Sequence, residues 1–73
     1  MITINFYPKF LDEELDKDAE IAKYREWLEL HGDYGRLFMW DITRAIGAQN
    51  GAITGVNIFE DEVGTLFRLL QDV

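Results

Sequence analysis

The fold depends on one stretch of the sequence, DYGRLFMWDITRAI at residues 33–46, which fits two kinds of secondary structure. As a strand, it places Phe38, Trp40 and Ile42 on one face, and aromatic residues are favoured in strands. As a helix, it aligns Phe38, Ile42 and Ile46 on one side. We favour the strand, because without it the chain has only two short strands, and a two-stranded sheet is at best marginally stable in water.

Strand patterns occur on both sides of this stretch. Residues 2–7 alternate between apolar and polar side chains, which is typical of a half-buried strand, and Pro8 ends that strand or places it at a sheet edge. Residues 54–58 alternate in the same way, and the turn GAQNG at 47–51 precedes them with an Asn-Gly pair that favours a hairpin. We therefore expect a small antiparallel sheet of about three strands.

The first of two helical patterns lies in residues 17–31, where apolar side chains recur at intervals of three or four residues. Asp16 or Asp18 can cap its first turn, and Gly32 follows its last residue. The pattern also allows the helix to begin as early as Asp12.

The second helical pattern, near the end of the chain, is the clearest. Its apolar residues have the spacing of one helix face, at Val63, Leu66, Phe67 and Leu70. Acidic residues 60–62 lie at its start, where the helix dipole favours negative charge. Gly64 costs about 1 kcal/mol relative to alanine inside a helix, and we expect it to allow close packing on the sheet.

Together these patterns predict an α+β fold with the order β-α-β-β-α, in which two helices cover one face of the antiparallel sheet. If residues 33–46 are helical instead, three helices lie on a two-stranded sheet. The 73 residues are enough for a single compact domain, residues 1–73. A chain of this size buries only about 60% of its unfolded surface, so its stability has little reserve.

The composition excludes most catalytic chemistry. The chain has no cysteine and no serine, and His31 is its single histidine. Thiolate nucleophiles and cysteine-bound zinc are therefore impossible, and a catalytic triad would need a threonine paired with His31. Asp12, Asp16 and Glu20 lack the spacing of a calcium loop with its central glycine. We therefore expect no enzymatic activity, no cofactor and no bound metal, and we expect His31 to stabilise a helix C-terminus.

The charge balance indicates the kind of partner. Fourteen acidic and seven basic residues give a net charge of −7 and a pI of about 4.4. Nucleic acid and anionic lipid repel such a chain, so we expect its charged partner to be a basic surface. No stretch approaches 18 apolar residues, and the first residues lack the basic side chain of a signal peptide. We expect a cytoplasmic protein that is a monomer or a weak dimer.

The acidic residues are concentrated at two places. Residues 12–20 hold six acids and one lysine, and residues 60–62 hold three acids. If residues 12–20 are helical, their net charge of −5 spans about 13 Å, which approaches the charge density of nucleic acid. In that helix Glu13, Asp16 and Glu20 align on one face. Ordinary roles also account for such acids, because they stabilise helix N-termini and keep a surface soluble. The candidate partner-binding residues are Asp12, Glu13, Glu14, Asp16, Asp18, Glu20, Glu26, Glu29, Glu60, Asp61 and Glu62.

Size, charge and two segments give the chain a resemblance to a known class of protein. The segments are the acidic run at residues 12–20 and FEDEVGTLFRLL at residues 59–70, in a chain without serine or cysteine. With these features the chain resembles the small inhibitors of phages and mobile elements, in particular the type I anti-CRISPR proteins. The resemblance implies an acidic domain that binds a basic channel of the interference complex, formed by Cas proteins, and blocks DNA in the host bacterial cytoplasm. Those inhibitors share no common motif, so the resemblance assigns no individual residue.

Two functions therefore remain open. In the first, the chain is a non-enzymatic inhibitor whose carboxylates mimic DNA phosphates and pair with lysine and arginine side chains of a nucleic-acid-binding surface. In the second, it is a small interaction or regulatory module that binds through an apolar aromatic patch, for which Phe38, Met39 and Trp40 are the candidates. For the large aromatic side chains, a place in the core of so small a domain is the stronger expectation. This expectation covers Tyr24, Trp27, Tyr34 and also Trp40.

Overall fold

The computed structural model describes residues 1–44 and 51–72. Its helices and strands follow the order β-α-α-β-β-α. They are β1 (Ile2–Asn5), α1 (Tyr7–Phe10), α2 (Lys17–His31), β2 (Phe38–Thr43), β3 (Ala52–Ile58) and α3 (Asp61–Gln71). The predicted α+β fold with a three-stranded antiparallel sheet is confirmed.

The central strand of the sheet is β3, which pairs antiparallel with β1 on one side and with β2 on the other. Ile58 of β3 lies opposite Phe38 of β2, and Val56 lies opposite Trp40. Because side chains alternate across a strand, these four residues share one face of the sheet. Three of them are buried, so this face is the floor of the core.

The ambiguous stretch contains strand β2, and the helical alternative for residues 33–46 is wrong. Burial alternates at the start of the strand, where Phe38 is 1% exposed and the next residue, Met39, is 43% exposed. The apolar residues of this stretch fit both the two-residue repeat of a strand and the 3.6-residue repeat of a helix. Hydrogen bonding to β3 favours the strand, because only a strand can add to the edge of that sheet. Residues 45 and 46, and residues 47–50 of the expected turn, lie outside the described residues.

Helix α1 is a single turn that the sequence analysis missed. Pro8 follows β1, as expected, but the chain there turns helically instead of passing into a loop. Proline is tolerated in a first helical turn, because the N–H that it lacks would have no partner within the helix. The turn brings Phe10 next to Phe6, with their ring centroids 5.2 Å apart. With α1 the structure has three helices. The alternative prediction also had three helices, but it placed them on a two-stranded sheet, whereas the sheet here has three strands.

Helix α2 covers the predicted residues. The carboxylate of Asp16 accepts a hydrogen bond of 3.1 Å from the backbone N–H of Ala19 and so caps the first turn. At the other end, the backbone N–H of Gly32 donates to the carbonyl oxygen of Leu28. The helix does not begin at Asp12, because the chain first makes a separate turn there.

Helix α3 packs its apolar face on the sheet, as the spacing predicts. Val63 and Phe67 are buried, and Leu66 at the side of this face is 45% exposed. A Cβ atom added to Gly64 would lie 2.7 Å from Cδ1 of Ile2, so the glycine does allow close packing on β1. The expectation for this residue is confirmed.

The core is organised around Phe6, which is fully buried at the end of β1. Its ring centroid lies 5.2 Å from those of Phe10 and Tyr24, and 6.3 and 6.4 Å from those of Phe67 and Trp40. These distances are typical of favourable aromatic pairs. Phe6 therefore joins α1, α2, α3 and β2 through one side chain.

The aromatic residues expected in the core do not all lie there. Tyr24 is fully buried, and Trp27 and Trp40 are half-buried. Tyr34 is 51% exposed in the connection between α2 and β2, so the expectation for it was wrong. Its ring meets Phe38 edge-on at 5.3 Å and covers the end of the sheet rather than entering the core.

The face of the sheet away from the helices carries a network of polar side chains. Thr3 donates a hydrogen bond of 2.7 Å to Oδ1 of Asn57, whose Nδ2 donates at 2.8 Å to Oδ1 of Asp41. This chain of hydrogen bonds crosses all three strands. Gly55 lies beside it, and a Cβ atom there would be 2.5 Å from the carbonyl oxygen of Ile4. The central strand therefore has no room for a side chain at this position.

We expect Gly55→Ala to lower the free energy of unfolding by about 2 kcal/mol, because the added methyl group meets backbone that cannot move without breaking the pairing of β1 and β3. Urea denaturation followed by circular dichroism measures this change. Gly64→Ala is the comparison, since its methyl group would meet the side chain of Ile2 rather than a backbone carbonyl and gains about 1 kcal/mol of helix propensity, so we expect a smaller loss. An equal loss in the two variants would contradict the steric assignment.

Candidate functional site

Five exposed carboxylates lie together in the connection between α1 and α2 and in the first turn of α2. This group, the acidic turn, consists of Asp12, Glu13, Glu14, Asp16 and Asp18. Within the described residues none of the five forms an ion pair. Their negative charge is therefore presented to solvent and is not neutralised inside the molecule.

Two members of the acidic turn also hold the local backbone in place. Oδ1 of Asp12 accepts a hydrogen bond of 3.0 Å from the backbone N–H of Glu14, and Asp16 caps α2. The carboxylates of Glu13, Glu14 and Asp18 accept no hydrogen bond from the residues that the structure describes. These three side chains are thus free to bind a partner without a change in the fold.

Glu20 does not belong to this exposed group, contrary to the sequence prediction. Its carboxylate lies 3.3 Å from Nζ of Lys9 and 3.1 Å from Nζ of Lys23, and its side chain is only 17% exposed. The expected alignment with Glu13 fails because Glu13 precedes the helix. Glu20 instead joins α2 to α1 through Lys9, which also donates to the backbone carbonyl of Gln71 in α3.

The surroundings of Glu20 favour its charged form. Burial is the largest single influence and raises its pKa, but the ammonium groups of Lys23 and Lys9 and the nearby Tyr24 hydroxyl together lower the pKa below the ordinary value of 4.5. The neighbouring Tyr24 hydroxyl is buried without a partner in hydrogen-bonding geometry, and its burial is the main reason that its pKa is raised above 10.0. This polar cluster stabilises the packing of helices and is not exposed for recognition.

Two further acidic candidates lie on the outward side of α2. Glu26 and Glu29 are both exposed and are within one turn of each other. On a helical projection Asp18 falls on the same side of α2. It lies about 12 Å from Glu26 along the helix axis, at a rise of about 1.5 Å per residue. Arg25 lies close to this line, so the outward side of α2 is only weakly acidic.

The remaining acidic candidates lie at the start of α3. Glu60, Asp61 and Glu62 are exposed, and Oδ1 of Asp61 lies 2.9 Å from the amino group of Met1. The start of α3 therefore helps to hold the edge of the sheet, since Met1 precedes β1. Glu60 and Glu62 form no ion pair with any described residue.

The two acidic groups lie at opposite ends of the molecule. Lys17, at the start of α2, lines the same cavity as Ala52, the first residue of β3. Glu60 lies two residues after Ile58, the last residue of β3. The length of β3 therefore separates the two groups by about 20 Å, at roughly 3.4 Å per residue. The structure brings the acidic turn together as one surface and leaves residues 60–62 as a second surface.

The aromatic patch considered as an alternative interface does not form. Phe38 is buried, and Trp40 is half-buried on the same core-facing side of the sheet. Met39 points to the opposite face because it is the residue between them. Three consecutive residues of a strand cannot share one surface, so this strand does not present the continuous apolar surface that the interface needs.

The described residues contain no group of three or more histidine, aspartate or glutamate side chains placed to hold a metal ion. Asp12 and Asp16 lie in the exposed turn, whereas Glu20 faces the two lysines. His31 has a structural position, since its Nδ1 lies 2.8 Å from the carbonyl oxygen of Trp27. Its ring also stacks on Trp27, with the centroids 4.0 Å apart.

We expect Glu20→Gln to lower the free energy of unfolding at pH 7, because it leaves Lys9 and Lys23 without their anionic partner. The lowered pKa means that the ionised carboxylate stabilises the fold fully above about pH 4.5 and loses this effect as the pH falls through the folded-state value. Urea denaturation between pH 7 and pH 3 should therefore show the two proteins converging in acid. Glu26→Gln, at an exposed carboxylate without an ion pair, is the control and should change stability little. A pH-independent difference for Glu20→Gln would contradict this role.

Among the described residues, no helix is both long and apolar enough to cross a membrane. No protein-family model, curated protein or solved structure matches the chain.

Proposed function

We propose that the chain is a non-enzymatic inhibitor that binds the basic nucleic-acid-binding surface of another protein. In this proposal the carboxylates of the acidic turn occupy the lysine and arginine side chains that otherwise contact phosphates. The partner we propose is a CRISPR interference complex made of Cas proteins, and the place of action is the bacterial cytoplasm. Binding alone blocks the nucleic acid, so no catalytic residue is required.

The observation that carries the proposal is the exposure of five carboxylates, without an ion pair, within seven consecutive residues. Capping of α2 requires only Asp16, so the other four exceed what the helix needs. Like charges at this spacing repel one another, and a small domain with a net charge of −7 has little stability to offset that repulsion. A basic partner would remove the repulsion on binding.

The geometry also ranks the candidate residues within this proposal. The acidic turn is the primary contact, and Glu26 and Glu29 extend it along the outward side of α2. Residues 60–62 are too far away to contact the same short basic segment. Glu20 contributes indirectly, because it fixes the position of α2.

The test is a triple variant, Glu13→Gln, Glu14→Gln and Asp18→Asn, which removes three charges and keeps both structural aspartates. We expect the wild-type chain to displace duplex DNA from a purified type I interference complex at 50 mM NaCl. The variant should need at least about tenfold more protein, since three charge pairs at a surface contribute about 0.5–1 kcal/mol each. A gel-shift competition assay measures this difference, and 500 mM NaCl should weaken the wild-type chain in the same assay.

The matched control changes three exposed acids at the other end of the molecule, with Asp33→Asn, Glu60→Gln and Glu62→Gln. It alters the net charge equally and should retain most of the inhibition. Equal losses in the two triple variants would show that net charge, rather than the acidic turn, determines binding. No displacement by the wild-type chain would reject the proposed partner.

A further inference from the structure

A cavity of about 600 Å³ lies between α1, the first half of α2 and the start of β3. Its volume is within the range of small-molecule binding sites. Phe10, Ile21 and Ile53 give it an apolar floor, and Tyr7 lies at its side with half of its surface exposed. The sequence analysis did not detect this cavity, because its walls come from three separate segments.

The wall that α2 contributes is apolar in the middle and cationic at both ends. Lys17, Ile21 and Arg25 recur every four residues and so form one ridge of the helix. The two cationic residues are separated by about 12 Å along the helix axis. Within the described residues neither Lys17 nor Arg25 forms an ion pair.

The charge of this wall is opposite to that of the chain. Among the residues that line the cavity, two are basic and one, Asp18, is acidic, whereas the whole chain has twice as many acids as bases. Asp18 is the neighbour of Lys17 in sequence and lies two turns from Arg25. Glu26 and Glu29 are close to Arg25 on the outward side of α2 but do not line the cavity, so Arg25 is the charged group that the cavity presents at this end.

We propose that this cavity binds a small organic anion, a carboxylate or sulfonate with an aromatic or aliphatic body. The guanidinium of Arg25 pairs with the anionic head, for which its planar fork of donors is well suited. The body of the ligand lies on Ile21 and Ile53 and buries apolar surface there. The site goes beyond the proposed inhibitor function: it shares only Asp18 with the acidic turn, and neither Arg25 nor the apolar floor belongs to that turn.

Both parts of the ligand are needed for binding. A chain with a net charge of −7 repels anions at long range, so an inorganic anion such as sulfate gains too little from one exposed arginine. A neutral aromatic compound gains the apolar contact but lacks the charge pair. The combination distinguishes this site from a nonspecific basic surface.

The probe for the test is 8-anilinonaphthalene-1-sulfonate, which has an anionic head and an aromatic body. We expect saturable one-to-one binding to the folded chain in 150 mM NaCl, seen as increased probe fluorescence and as shifts of the backbone amide signals of Ile21, Ile53 and Thr54. Arg25→Gln should weaken binding about three- to tenfold, as expected for loss of a partly exposed charge pair. Sodium sulfate at the same concentration should produce no such shifts.

Arg36→Gln is the matched control, because Arg36 is exposed in the connection between α2 and β2 and does not line the cavity. It should leave probe binding unchanged, and circular dichroism should show both variants folded. Equal weakening in the two variants, or shifts of amide signals elsewhere without those of Ile21 and Ile53, would overturn the proposal. Failure of saturable binding at millimolar probe would also overturn it, and none of these outcomes affects the DNA-displacement experiment.

Discussion

The packing around the ring of Phe6 is the constraint on which the rest of the structure depends. A domain of 73 residues has a small core, and here one fully buried aromatic ring contacts rings from α1, α2, α3 and β2. Its backbone N–H also donates to the carbonyl oxygen of Thr54, so the same residue continues the pairing of β1 with β3. These contacts fix the positions of the helices on the sheet, even though the core is small.

Most of the negative charge of the chain lies at the surface, in two separate groups. Exposed carboxylates occupy the acidic turn and the start of α3, about 20 Å apart at opposite ends of β3. The distance exceeds the Debye length of about 8 Å at physiological ionic strength, so the two groups hardly repel each other. Glu20 is the exception, because Lys9 and Lys23 compensate for the cost of its partial burial. The separation limits self-repulsion and makes the two acidic surfaces independent of each other.

Local patterns predicted most of the fold. The bounds of α2 follow from the spacing of apolar residues, which is a property of a short segment. The local pattern favoured the strand in residues 38–43 but also fitted a helix, and pairing with β3 decided between them. Helix α1 was missed because a single turn has too few residues for a periodic signal. It is stabilised because Phe10 is buried in the hydrophobic core, and that packing is a tertiary requirement.

The sequence by itself determined the excess of acid, the absence of cysteine and serine chemistry and the α+β class, since these depend only on composition and local spacing. Only the tertiary structure decided which acids are available for binding. It paired Glu20 with lysines from two segments, and it placed Phe38 and Met39 on opposite faces of the sheet. It also assembled a cavity from α1, α2 and β3. Contacts between residues distant in sequence depend on how the segments pack around the core, and no local pattern contains that information.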